Sequence, residues 1–128
     1  MKPNPYLAFS SFFLLLPIFP YALHGNYIGI LLTFLCSFFS MSYHLTKPEF
    51  PKLLLLDQIF GYSTVVYATW MLTCQTWIPY LMLISGAYIL YHVGYQYQYF
   101  VWHPDLTTAT CWHMLLHLGN GVLISMIG

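Results

Sequence analysis

Apolar residues follow one another along this chain in long runs, separated by short breaks that hold most of the polar positions. Runs of this length are typical of helices that cross a hydrocarbon layer about 30 Å thick. The pattern predicts about five such helices, at residues 6–23, 27–44, 53–73, 77–95 and 108–127. We therefore expect one all-α domain over 1–128, an integral membrane helical bundle.

The breaks between the runs carry the usual signals of loops and membrane boundaries. The stretch from Leu45 to Lys52 combines prolines with charged residues and is expected to lie outside the membrane. Cys74-Gln75-Thr76 reads as a tight connection. From Tyr95 to Thr107 the aromatic side chains predict an interfacial belt and loop, because Tyr and Trp favour the headgroup boundary.

The first apolar run is interrupted by Pro17 and Pro20, each of which removes an amide donor and crowds the preceding turn. We expect the first helix to kink or to end early. A cleaved signal peptide is the alternative interpretation of this run, but Ala22-Leu23-His24 is a poor cleavage site, so a retained helix is favoured.

Composition narrows the class of protein further. The chain is 59% hydrophobic and only 5% charged, with a formal net charge of zero. This balance gives no electrostatic reason to expect a nucleic-acid partner, so the expected partner is the lipid bilayer. The three cationic residues, Lys2, Lys47 and Lys52, all fall on one side of a five-helix chain. The positive-inside rule makes that side, with the amino terminus, cytoplasmic.

Expensive polar side chains stand near the ends of three predicted helices. Ser40 and His44 close the second, Asp57 opens the third, and His113 and His117 open the fifth. An ionisable residue at bilayer depth costs roughly 2.5 to 3.5 kcal/mol. In a bundle of five helices, the carboxyl end of the second helix lies on the same side as the amino ends of the third and fifth helices. The sequence therefore predicts one shared polar site.

Spacing supports a metal centre at this site. Residues four apart share a helix face, so Ser40 stacks over His44 and His113 over His117. Catalytic zinc usually takes three protein ligands and keeps one position open, and His44, His113 and His117 supply three imidazoles. The sequence therefore predicts a Zn²⁺ site on the cytoplasmic side.

Zinc activates water and polarises a carbonyl group, which suits hydrolysis of an amide or ester at neutral pH. Asp57 is the candidate catalytic group that would carry the proton to the leaving group. Ser40 would hydrogen-bond either the developing oxyanion or the Asp57 carboxylate, and the sequence leaves both roles open. The expected substrate is a membrane lipid. Gly61, one turn after Asp57 on the same helix face, would leave room for a ligand or a close helix.

Simpler interpretations exist for every one of these residues. A membrane histidine is often a packing residue, Asp57 lies near headgroup level, and Ser40 can bond back to its own helix. Paired membrane histidines also ligate haem, so a b-type haem protein is an alternative, as is a plain helical partner subunit. His103 is the one remaining histidine expected to be able to approach the site from its loop.

The block Ser40-Met41-Ser42-Tyr43-His44, followed by Leu56-Asp57, resembles the CREST superfamily of membrane hydrolases. That group includes alkaline ceramidases, adiponectin and progestin receptors, Per-type lipid-remodelling enzymes of GPI anchors and myomaker-like proteins. The resemblance covers Phe39 to about Tyr67 and, more briefly, Cys111 to Asn120. It implies a helical bundle with zinc held by three histidines beside a Ser and an Asp. A non-catalytic receptor or membrane-remodelling protein is the other function it implies.

The chain departs from that superfamily at two points. Its members have seven membrane helices, so this chain would be a shortened form that lacks one helical pair. With Trp112-His113 taken as the end of the superfamily's last motif, Ala109 stands where another ligand is expected. His117 would then have to supply the third imidazole.

Overall fold

The computed structural model describes residues 3–46, 51–71 and 77–127, and helix is the only regular secondary structure in these ranges. The all-α prediction is therefore confirmed. Half of the predicted polar loop, at 47–50, the predicted connection at 74–76 and the predicted cytoplasmic Lys2 lie outside the described residues. The other half of that loop, at 45–46 and 51–52, is helical. The helical segments, in chain order, are α1 (Pro5–Ser10), a 3-10 helix (Ser11–Leu15), α2 (Ile18–Leu23), α3 (Tyr27–Thr46), α4 (Pro51–Trp70), α5 (Trp77–Tyr88), a π-helical segment (Ile89–Gly94), α6 (Tyr95–Tyr97), a second 3-10 helix (Phe100–Trp102) and α7 (Leu106–Ile127).

Three helical stretches within the described ranges are long and apolar enough to cross a membrane, namely Pro5–Leu23, Tyr27–Thr46 and Trp77–Trp102. These correspond to the first, second and fourth predicted spans. The third and fifth predicted spans are also helical, as α4 with 20 residues and α7 with 22 residues. Both contain the polar residues of the predicted site, which lowers their overall hydrophobicity.

The first helical stretch is broken in the way the prolines predict, although the break starts before them. Asn4 caps α1 with its side-chain oxygen, which accepts from the amides of Tyr6 and Leu7. The chain then tightens into the 3-10 helix and turns before α2. Pro17 has no amide to donate to Phe13, whose carbonyl oxygen instead accepts from Leu16 N–H at 3.2 Å.

Polar and apolar side chains are distributed opposite to the usual pattern of a water-soluble domain. The side chains that are almost fully enclosed are mostly polar and include Ser10, Ser11, Ser40 and His44, each at most 1% exposed. Large apolar side chains, by contrast, are widely exposed, up to 83% for Trp70. Buried polar groups under a largely apolar surface are consistent with a membrane protein.

The N-terminal stretch packs between two long helices. The 3-10 helix that follows α1 contacts both α3 and α7, while α4 lies against α3 and α5 lies against α7. Asn4 fastens the start of this stretch, because its backbone N–H donates to His44 O at 2.8 Å. The Asn4 side-chain amide also donates to Thr110 Oγ1 at 3.0 Å. The start of α1, the end of α3 and the start of α7 therefore lie at one level.

Helix continues past the point where a loop was predicted to begin. The π-helical segment and α6 carry the chain to Tyr97, and Gln98 ends it in the left-handed region with φ of 57°. Tyr99 N–H then donates to Gly94 O at 2.9 Å, which folds the aromatic stretch back. A side chain at Gly94 would crowd the rings of Phe100 and Trp102, so this glycine permits the return.

We predict that Gly121→Ala destabilises the bundle. A Cβ at Gly121 would overlap the Phe13 carbonyl oxygen of the 3-10 helix, and backbone cannot turn aside as a side chain can. Overpacking of this kind costs about 1–3 kcal/mol. Thermal unfolding in detergent checks the effect. Gly119→Ala is the matched control, because a Cβ there meets no atom within 4 Å. Equal stability of the two variants would contradict the close approach.

A second prediction concerns the loop before α7. Asp105 Oδ2 accepts hydrogen bonds from Thr108 Oγ1 at 2.7 Å and from Thr108 N–H at 2.9 Å. These bonds stabilise the carboxylate and lower the pKa of Asp105 below its ordinary value of 3.8. The Asp105–Thr108 hydrogen bonds therefore stabilise the folded protein at a pH above 3.8, and this contribution is lost as the pH falls through the lowered pKa of Asp105.

Thr108→Val should raise the pKa of Asp105 towards its ordinary value, because it deletes the hydroxyl bond. An NMR titration of the Asp105 carboxyl carbon measures this change. Thr107→Val, which alters the exposed neighbouring threonine, is the control and should leave the titration unchanged. An unaltered titration in Thr108→Val would show that the hydroxyl bond does not form.

Candidate metal centre

Three histidines from two helices come together at one point. The rings of His44 and His113 have centroids 4.8 Å apart, His113 and His117 are also 4.8 Å apart, and His44 and His117 are 5.4 Å apart. One ring nitrogen from each lies within 4.8 Å of the others. The trio predicted from the sequence is therefore assembled closely enough to bind a metal ion.

The positions of the three histidines along α3 and α7 explain why their rings meet. His44 lies in the last turn of α3, His113 lies in the first half of α7, and His117 follows one turn later. Because the end of α3 meets the start of α7, the single histidine faces the pair. His44 is 1% exposed and His117 is 5% exposed, while His113 is half-buried. The trio is accessible mainly from the His113 side.

The donor set fits the needs of a divalent cation. Two imidazole nitrogens bound to one tetrahedral zinc at 2.0–2.1 Å lie about 3.3 Å apart. The nitrogens of the trio, within 4.8 Å of one another, need to close by at most about 1.5 Å to reach that spacing. Three neutral nitrogen donors also leave a fourth position free, as catalytic zinc sites do.

Ser40 lies directly beside the trio. Its hydroxyl oxygen is 3.5 Å from His117 Nε2 and 3.0 Å from Ser11 Oγ. The structure therefore brings Ser40 next to His117. The structure places it in contact with an imidazole and with the N-terminal stretch.

Asp57 faces the same space from α4. A cavity of about 320 Å³ is lined by Ser40, Asp57, His113 and His117 at its polar part. Among the described residues, the cluster of metal-binding atoms contains the three histidines without Asp57. Asp57 thus shares the cavity with His113 and His117 and is not one of the clustered ligands. Gly61 also lines this cavity, and an added Cβ there would meet open space, as expected for a residue that leaves room.

Two residues that touch the site were not predicted from the sequence. Ser10 and Ser11, in the first apolar run, are fully buried, and Ser10 Oγ lies 2.7 Å from His117 Nδ1. Ser37 Oγ donates to the Ser11 carbonyl oxygen at 2.8 Å and ties this stretch to α3. The signal that was available is the adjacent pair of hydroxyls inside a run of Phe and Leu.

The remaining histidines and Ala109 lie apart from the described cluster. His24 and His92 are exposed, and the His92 ring stacks on Tyr88 with centroids 5.1 Å apart. His103 Nδ1 accepts a hydrogen bond from the Asp105 N–H at 3.0 Å, a contact within the loop that precedes α7. Ala109 stands at the start of α7, while His117 occupies the third position in the trio.

Comparisons with known proteins give no relative for this chain: no family model, no curated protein and no solved structure matches it. The function is therefore inferred from the site itself.

Proposed function

We propose that this protein is a zinc-dependent intramembrane hydrolase that cleaves an amide or ester bond in a membrane lipid. The observation that supports this most strongly is the His44, His113 and His117 trio, two members of which, His113 and His117, line a cavity together with Asp57 and Ser40. Neither buried imidazoles nor a carboxylate at this depth is needed to pack a helical bundle. Their convergence on one cavity favours a chemical role.

In this proposal the three imidazoles hold Zn²⁺, which when bound supplies a Lewis acid and activates water for attack on a carbonyl carbon. Zinc suits three nitrogen donors with an open fourth position better than magnesium or calcium, which prefer oxygen ligands. The negative charge of Asp57 across the cavity offsets part of the charge of the dication.

Asp57 acts as the proton shuttle. Its carboxylate takes the proton that water loses as the new carbon–oxygen bond forms, and it returns that proton to the departing nitrogen or oxygen. The products are then a carboxylic acid and a free amine or alcohol. This role is supported by the position of Asp57, which lines the cavity with His113 and His117 but lies outside the ligand cluster.

Ser40 supplies a hydrogen bond to the carbonyl oxygen of the substrate. Its hydroxyl lies beside His117 Nε2 and lines the cavity, so the oxygen that gains negative charge would fall within its reach. This assigns to Ser40 the first of the two roles that the sequence left open.

A lipid substrate is supported by the rest of the cavity wall. Beyond its polar part, the cavity is bounded by apolar side chains from several helices, including Leu14, Leu83, Ile84 and Ile124. An acyl chain would lie along this wall with its carbonyl group at the histidines. Most of the outer surface is apolar as well, so the substrate would enter from the bilayer.

The membrane topology is part of the same proposal. We infer five membrane-spanning helices, namely the three strongly apolar stretches together with α4 and α7. The site and the amino terminus would both lie on the cytoplasmic side. The resemblance of Ser40–His44 and Asp57 to CREST hydrolases supports this assignment, in a shortened form of that bundle.

The alternatives are a b-type haem protein and a non-catalytic receptor or membrane-remodelling protein. A b-type haem needs a gap for the porphyrin between two axial imidazoles, whereas the three rings here contact one another. A non-catalytic receptor or remodelling protein would keep the zinc without turnover. Stoichiometric zinc with no hydrolysis of any lipid would favour that alternative.

We predict that purified protein contains about one zinc ion per chain and that His44→Ala, His113→Ala and His117→Ala each lose most of it. Removal of one of three ligands leaves too few donors to hold the ion. Elemental analysis after dialysis measures the content. His92→Ala is the control, since its ring lies outside the trio. Unchanged zinc in the His44 and His113 variants would show that these residues are not ligands.

Reconstituted protein should release fatty acid from ceramide or phospholipid vesicles, as measured by mass spectrometry. Asp57→Asn should lower kcat by about 10²- to 10⁴-fold, because the amide cannot shuttle a proton. Ser40→Ala should lower it by about 10²- to 10³-fold. Asp105→Asn and Ser63→Ala are controls, because neither residue lines the cavity. Full activity in Asp57→Asn would remove Asp57 from the reaction.

A further inference from the structure

Ser10 and Ser11 bring the N-terminal stretch into contact with the candidate metal centre. Both side chains are fully enclosed, and they reach the site from a segment whose other residues are mostly apolar. Ser10 Oγ lies 2.7 Å from His117 Nδ1, and Ser11 Oγ lies 3.0 Å from Ser40 Oγ. Each serine therefore contacts one residue of the proposed machinery.

Two partners lie within hydrogen-bonding distance of the Ser10 hydroxyl. Ser10 Oγ donates to the Leu7 carbonyl oxygen at 2.9 Å, and it lies 2.7 Å from His117 Nδ1, where either group can be the donor. A ring that donates from Nδ1 lets Ser10 serve both partners, since the hydroxyl then gives its one hydrogen to Leu7 O and accepts from Nδ1–H. In that arrangement Nε2 carries the lone pair.

The other nitrogen of the same ring faces the site. His117 Nε2 lies 3.5 Å from Ser40 Oγ, and the ring lines the cavity shared with Asp57. An imidazole binds a metal through the nitrogen that carries no hydrogen, and its second nitrogen usually donates to an outer partner that fixes the ring. Ser10 stands in the place of that outer partner.

The stretch that carries Ser10 is itself held in place at two points. Asn4 donates its backbone N–H to His44 O and its side-chain amide to Thr110 Oγ1, one on each of the helices that supply the histidines. Farther along, Ser37 donates to the Ser11 carbonyl oxygen at 2.8 Å. With both ends anchored, Ser10 has little freedom to turn away from His117.

We propose that Ser10 is a positioning residue that holds His117 in the Nδ1–H tautomer and thereby points the Nε2 lone pair at the metal position. The role of Nε2 rests on the proposed function, whereas the tautomer itself does not. The N-terminal stretch, on this account, is an essential wall of the site as well as a membrane helix.

Two measurements test the proposal. In zinc-free wild-type protein, long-range ¹H–¹⁵N NMR of the His117 ring should show a protonated Nδ1 and an unprotonated Nε2. In Ser10→Ala the ring should shift towards the Nε2–H tautomer, and zinc affinity, measured by competition with a chromophoric chelator, should fall about 10- to 100-fold. A purely structural role for Ser10 would leave the tautomer unchanged.

Ser63→Ala is the matched control, because the Ser63 hydroxyl donates to Ile59 O of its own helix and does not line the cavity. It should preserve both the tautomer and the zinc affinity. A wild-type His117 with its proton on Nε2 would overturn the proposal, and this result needs no variant to fold. A folded Ser10→Ala protein with His117 still in the Nδ1–H form would overturn it too.

The outcomes separate this proposal from the proposed function. Retention of zinc by His44→Ala and His113→Ala would refute the zinc site, yet the tautomer of His117 in the zinc-free protein would still report on Ser10. Conversely, a zinc site that depends on all three histidines but tolerates Ser10→Ala with an unchanged tautomer would refute only the role of Ser10.

Discussion

Burial of three imidazoles at a single level, inside a chain that is otherwise apolar, is the constraint on which the structure depends. A polar group away from water is costly unless another protein group, or an ion, satisfies it. The rings of His44, His113 and His117 therefore lie against one another, and hydroxyl and carbonyl groups gather around them. The N-terminal stretch packs between α3 and α7 and brings Ser10 and Ser11 to this polar centre.

Close backbone approach makes that convergence possible. Gly121, one turn after His117 on α7, lies against the Phe13 carbonyl oxygen, and no larger residue would fit. At the far end of the bundle, the Tyr21 ring covers Gly29 of α3, where a Cβ would lie 2.6 Å from the ring. Small residues at helix contacts are characteristic of membrane bundles, in which packing replaces the hydrophobic effect between helices.

The sequence predicted the essential geometry of the site. The alternating direction of the helices placed His44 beside His113 and His117, and helical periodicity put the latter two on one face. Asp57 and Ser40 were expected on the same side, and they line one cavity with His113 and His117. Their catalytic roles, the identity of the metal and the lipid substrate stay predictions.

Features that depend on tertiary contacts were beyond the sequence. Ser10 and Ser11 looked like minor interruptions of an apolar helix, since nothing local shows that His117 lies opposite them. The continuation of helix to Tyr97 depends on aromatic side chains folding back over Gly94, which a pattern of aromatic and polar residues does not reveal. Helix ends shifted by a few residues for the same reason.

The most direct test of the account is X-ray absorption at the zinc edge on the purified protein. The account predicts three imidazole nitrogens at about 2.0–2.1 Å with the ring scattering of histidine, and one further light ligand. A spectrum with fewer than three imidazoles, or with sulfur at about 2.3 Å from a cysteine such as Cys36 in the cavity wall, would contradict it.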